Sequence, residues 1–153
     1  MKFIFFFLIA LSALPTFLTS PLRAEQGSMA VPSKLFIDPS STSTSMARIN
    51  LKVGTLTRQG SAYRGGYQIK VVPFAFKNEG GKLAANVSDE AVRQLREGTP
   101  VTFTGSATSD DGQSRPIEGR ATPSSNEAGR IEIRFTSKDT KLVFATTYHL
   151  AAL

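Results

Sequence analysis

From Ala47 onward the chain alternates apolar and polar residues in segment after segment. Successive side chains of an extended strand point to opposite faces, so this pattern specifies strands with one buried and one wet face. "ARINLKVGTLT" puts Ala47, Ile49, Leu51 and Val53 on one face, then shifts phase after Gly54 so that Leu56 becomes apolar. A glycine at a phase shift marks a bulge or sharp bend. "YQIKVVPFAFKNEGG" begins with Tyr67, Ile69 and Val71 in phase and flips at Val71-Val72-Pro73, after which Phe74 and Phe76 are in phase. Proline has no N–H for a ladder and belongs at an edge or bulge. Both long strands therefore read as bent, as strands must be when a sheet coils into a barrel or turns a sandwich corner.

The remaining segments extend the pattern. "NEGG" reads as a turn and "KLAANV" as a short, weaker strand. "VSDEAVRQLREGTP" predicts one short helix at about 89–97: Ser88 is the N-cap, Asp89 and Glu90 sit at the positive end of the dipole, and Gly98 with Pro100 ends it. Ala91, Val92 and Leu95 form its buried stripe. The hairpin that follows has a register. Val101, Phe103 and Gly105 must meet Ile117, Gly119 and Ala121 on the same face, which an odd loop at Asp110-Asp111-Gly112 supplies. Phe103 then faces Gly119, and Ile117 faces Gly105. For "RIEIRF", opposing Arg120 to Glu132 and Glu118 to Arg134 avoids like-charge pairs. In "KLVFATTYHL", apolar residues on both faces predict a strand covered on both sides. Six clear strands, the weaker one and the helix make a mainly β domain: a small antiparallel barrel, with a two-sheet sandwich as the alternative.

The N-terminus has a different character. One cation, Lys2, precedes an apolar run from Phe3 to Leu14 and a short polar region ending at Ala24. This is the layout of a signal peptide over residues 1–24, cut between Ala24 and Glu25. The apolar run is shorter than the ~20 residues that span a bilayer, and no transmembrane helix is expected after cleavage. Residues 25–45 read as a Ser/Thr/Pro-rich flexible tether, within which Lys34 to Ile37 is an apolar island that either docks or stays loose. Residues 46–153 form the single β domain. The chain has no cysteine, which excludes disulfides, thiolate metal sites and a lipid-modified cysteine. The expected location is the periplasm or exterior, in a bacterium.

No catalytic set is legible. His149 is the one histidine, and no serine lies in a strained G-x-S-x-G elbow. The acidic clusters Ser109–Asp111 and Ser88–Glu90 are already required by a hairpin loop and a helix start. No cofactor or metal is implied. Loss of Lys2 and Arg23 from 18 Lys/Arg leaves 16 against 12 Asp/Glu. Cations occupy polar strand positions at Arg48, Lys52, Arg58, Arg64, Lys70 and Lys77, and again at Arg115, Arg120, Arg130 and Arg134. Arg120, Arg130 and Arg134 form the candidate anion face, with Glu118 and Glu132 interleaved. Phe74, Phe76, Phe103, Phe135 and Phe144 are in phase with the apolar set, so they read as core or as the lining of a cavity. The expected function is a non-enzymatic binding module of the cell envelope or exterior, whose partner is an envelope protein or an anionic surface component. Export and mixed charge disfavour nucleic acid. A carrier of a small apolar ligand is the second reading, and a hydrolase the third. N-terminal sequencing of the protein recovered from an exporting host is expected to begin at Glu25; an intact Met1 would overturn the cleavage.

Overall fold

Strand follows strand along the chain with one helical interruption. The elements are β1 (Lys34–Ile37), β2 (Ser40–Ser43), β3 (Arg48–Val53), β4 (Leu56–Gln59), β5 (Ala62–Val72), a 3-10 turn (Ala75–Lys77), β6 (Glu79–Asn86), α1 (Asp89–Arg96), β7 (Val101–Ser109), β8 (Ser114–Pro123), β9 (Ala128–Ser137) and β10 (Thr140–Ala151). The computed structural model describes residues 30–137 and 140–152. The expected signal peptide, its Ala24-Glu25 cleavage point and residues 25–29 of the expected tether lie outside the described residues.

Two staves are broken in the middle. Asp38-Pro39 separates β1 from β2, and Gly54-Thr55 separates β3 from β4. β1 pairs with β4 and β2 with β3, while β3 and β4 both pair with β5. From β5 each strand pairs antiparallel with the next as far as β10, and β10 returns to β1 from Lys34↔Ala151 to Ile37↔Tyr148. The result is a closed, antiparallel, eight-stave barrel with one helix.

The tether expectation needs correction here. Residues 34–43 form the eighth stave. Leu35 and Ile37 are buried while Phe36 faces outward. That alternation is only three residues long, and Ser40–Ser43 carries no apolar marker at all. Backbone pairing of Ser40 to Leu51 and of Ser43 to Arg48 holds that half in place.

The other registers follow the charge and size rules. Phe103 pairs with Gly119, Gly105 with Ile117, Arg120 with Glu132, and Glu118 with Arg134. Gly112 has φ +87°, as the three-residue loop requires. Ser88 Oγ accepts a 3.1 Å bond from Ala91 N, and α1 lays Val92 and Leu95 over one end of the barrel. Gly98, at φ +90°, stops the helix. On β10, Val143 and Ala145 are exposed, so that strand is covered on its inner face alone.

Inside, Phe135 is 2% exposed and Phe144 0%. Their rings meet edge to face at 5.7 Å, and Tyr67 packs 6.0 Å from Phe135. Phe103 is half-buried above Gly119. Phe74 and Phe76 do not join them. β5 ends at Val72, and the chain turns outward through Pro73 into the 3-10 turn, where Phe76 is 82% exposed. The phase flip at Val71-Val72 is therefore a strand end rather than a bend. Asn78 Oδ1 accepts a 2.8 Å bond from Val71 N and closes this turn.

Glycines let the staves and rings approach closely. A Cβ on Gly119 would lie 2.1 Å from Phe103 Cζ, and one on Gly105 would lie 2.1 Å from the Ala84 carbonyl oxygen. Gly119→Ala is expected to cost about 1–3 kcal/mol, and Phe103→Leu in the same chain should recover part of it. Gly105→Ala meets backbone, so Phe103→Leu should not relieve it. Urea unfolding of the singles and doubles checks both; equal rescue of the two glycine variants would refute the Phe103 contact as the cause.

Candidate functional site

A filled barrel leaves its ends and its outer wall for recognition. The interior space is about 30 Å³ and is lined by apolar side chains such as Leu83, Val92, Ile117 and Ile133. That is room for a water or two and far below the ~300 Å³ or more of an ordinary ligand pocket. Phe135 and Phe144 occupy the room an apolar ligand would need.

The end opposite the helix is closed by a polar network. Tyr67 donates a 2.5 Å hydrogen bond to Glu79 Oε1, and Arg115 Nη2 lies 2.5 Å from Glu79 Oε2. Burial, then the bond to Glu79, holds the Tyr67 hydroxyl well above the usual tyrosine range. In the neighbouring hairpin Ser109 Oγ donates to Asp111 Oδ1. This bond, joined by the Gln113 N–H, pulls the Asp111 carboxyl below its usual range.

At the helical end, Arg58 acts as a staple. Its Nη2 donates to the Val87 carbonyl at 3.0 Å and to Asp89 Oδ1 at 2.5 Å, and its guanidinium lies 4.9 Å from the centre of the Tyr63 ring. Tyr63 in turn donates a 2.7 Å bond to the Pro32 carbonyl. Burial raises the Tyr63 hydroxyl, and Arg58 partly opposes that rise. Arg58 therefore joins β4, β5, the start of α1 and the N-terminal segment, and its side chain is only 10% exposed. It is no part of a free cationic surface.

The candidate anion face is dispersed. Arg120, Arg130 and Arg134 all point outward from β8 and β9, around shallow grooves that also hold Glu118 and Glu132. Arg134 Nη2 is bound to Glu132 at 2.5 Å within its own strand. Positive and negative groups alternate there, so the three arginines do not make a single-sign surface.

The single-sign surface lies on the other wall. Arg48 and Lys52 on β3, Arg64 and Lys70 on β5, and Lys82 on β6 are all exposed and outward. Arg48 is in register with Val72, Asn50 with Lys70, Lys52 with Gln68, and Gly66 with Lys82. Arg48 and Lys52 are thus both diagonal neighbours of Lys70, at about 7–8 Å spacing. Between Ser40 and Val87 the one acid is Glu79, and it is already bound by Arg115 and Tyr67. A groove of about 530 Å³ crosses this wall beside Lys52, Gln68 and Lys70. The acid-free run was legible in the sequence; the later arginines stood out more because their strands were easier to register.

His149 lies at the surface, its Nε2 3.7 Å from Asp38 Oδ2, which also accepts from Thr147 Oγ1. No serine hydroxyl among the described residues bonds to His149. Among the described residues no group of three His, Asp or Glu side chains is placed to hold a metal, and no helix is long and apolar enough to cross a membrane.

These roles separate in a stability measurement. Glu79→Ala and Arg58→Ala are each expected to cost about 1–3 kcal/mol, because each leaves hydrogen-bonding groups unmatched. Lys70→Glu on the open wall should stay within about 0.5 kcal/mol. Urea titrations decide it; a neutral Glu79→Ala would remove the network as a closure. Asp111 adds a pH dependence. Its lowered carboxyl stabilises the fold at neutral pH, and that contribution fades as pH falls through the lowered value. Asp111→Asn should shift acid unfolding accordingly, while a midpoint equal to wild type would exclude this role. Comparison with protein families, curated proteins and solved structures gives no match for this chain.

Proposed function

We propose that the protein is an exported, non-enzymatic binding module of the cell envelope or exterior, and that it engages an anionic component through the outer wall of β3, β5 and β6. One observation carries this reading: Arg48, Lys52, Arg64, Lys70 and Lys82 project from one wall with no acid among them. Like charges held together repel one another, and among the described residues no ion pair involves these five cations; an external anion would relieve that repulsion. Export rests on the Lys2 and Phe3–Leu14 pattern.

Retention on a dextran sulfate matrix in a rising salt gradient tests the wall. The Lys52→Glu/Lys70→Glu variant should elute at clearly lower salt than wild type. Arg120→Glu/Arg130→Glu carries the same change in net charge and should elute later than the wall variant. Equal elution of the two double variants would show that net charge, rather than the wall, governs retention.

A further inference from the structure

The basic wall ends in an apolar corner. At the end of the barrel opposite α1, the β2–β3 turn presents Met46, 77% exposed, and the β5–β6 connection presents Phe76, 82% exposed. Val72, also exposed, stands directly opposite Arg48 in the β3–β5 ladder, two residues from Met46. The β3–β5 ladder sets Val72 beside the strand that leads from Met46, and Phe76 follows four residues on, so three large exposed apolar side chains gather at one end of the barrel. The corner is also firmly built. Lys77 N bonds the Phe74 carbonyl at 2.9 Å, Asn78 N bonds the Ala75 carbonyl at 3.1 Å, and the Phe74 and Phe76 rings meet edge to face at 5.9 Å. In the other turn, Thr44 N bonds the Ala47 carbonyl at 2.8 Å.

Cations surround these residues. Arg48 lies beside Met46 and Val72, and Lys77 Nζ sits 5.6 Å from the centre of the Phe74 ring. Among the described residues, the acids at this end are held by groups other than the corner's cations or lie beside β6. Glu79 is bound by Arg115 and Tyr67, Asp111 is bound by Ser109, and Asp110 lies beside Gly80 towards β7.

We infer that the anionic component is a lipid bilayer with anionic headgroups, and that Met46, Val72 and Phe76 enter it while Arg48, Lys70 and Lys77 contact its phosphates. This deepens the wall reading and rests on it. The corner projects, and a projecting apolar group with cations behind it matches a fluid medium whose surface is negative and whose next layer is hydrocarbon. The long basic side chains can keep their charges at headgroup level while the apolar tips go deeper.

The chain has no tryptophan, so Phe76→Trp gives a single fluorescent reporter at the tip. With vesicles of phosphatidylcholine containing phosphatidylglycerol, its emission should shift to the blue; with dextran sulfate it should not. In sedimentation with the same vesicles, Phe76→Asp should bind about tenfold more weakly or worse, yet elute from dextran sulfate well after Lys52→Glu/Lys70→Glu. The side chain is already exposed, and an unchanged urea midpoint would confirm that Phe76→Asp is folded. Lys52→Glu/Lys70→Glu should lose both kinds of binding. Wild-type protein that holds dextran sulfate but ignores the vesicles overturns the bilayer and leaves the wall reading standing. Vesicle binding unaffected by Phe76→Asp overturns entry by the corner. Failure on both matrices overturns the wall reading and this inference together.

Discussion

Closure of the barrel by β1 against β10 is the constraint on which everything else depends. An antiparallel meander closes on itself only with an even number of staves, since the last must run opposite to the first. Lys34–Ile37 supplies the eighth, pairing β10 on one side and β4 on the other. Without it, β4 and β10 would each present an unpaired edge, which invites pairing with other chains. Closure also sorts the connections. They alternate between ends, so the turns after β2, β5 and β7 share one end, and α1 lies at the other with the turns after β4 and β8. The exposed corner, the Tyr67–Glu79–Arg115 network and the Asp111 hairpin are neighbours for this topological reason.

The two ends are sealed by different chemistry. α1 closes one with Val92 and Leu95, held by a capped N-terminus and the Arg58 staple. The other is closed by a tyrosine, a glutamate and an arginine whose polar atoms satisfy one another. Between them the aromatic and branched side chains fill the space. Glycines at 105 and 119 let large residues and neighbouring backbone approach where any Cβ would collide. A filled interior moves the question of function to the outside of the barrel.

Much of this was legible in the sequence wherever two independent rules agreed. The helix had a cap, a stripe and a stop, and it forms over the expected residues. The β7–β8–β9 registers had both size and charge complementarity, and they stand as derived. Legibility failed where a single rule was available. Ser40–Ser43 is held by backbone pairing, which leaves no trace in side-chain pattern. Phe74 and Phe76 obeyed period two, yet Pro73 had already ended the ladder, so their phase carried no information about the core. For the basic residues, strand pattern showed which pointed outward, but not which of them shared a wall. That depended on the pairing order, and on which cations, Arg58 above all, were already committed to the fold.

The segregation of charge has a mechanical consequence. One contiguous stretch of chain, from Arg48 to Lys82, builds the basic wall and carries a single acid, Glu79, which Arg115 and Tyr67 already bind; the other acids of the chain lie before or beyond that stretch. The folded molecule therefore carries a dipole across the barrel axis. Near a negatively charged plane it experiences a torque before any contact forms, over a distance of about 10 Å at moderate salt. On the proposed anionic surface, arrival and orientation would be one event, with the corner at Phe76 brought to the plane by charges that lie on a different part of the barrel.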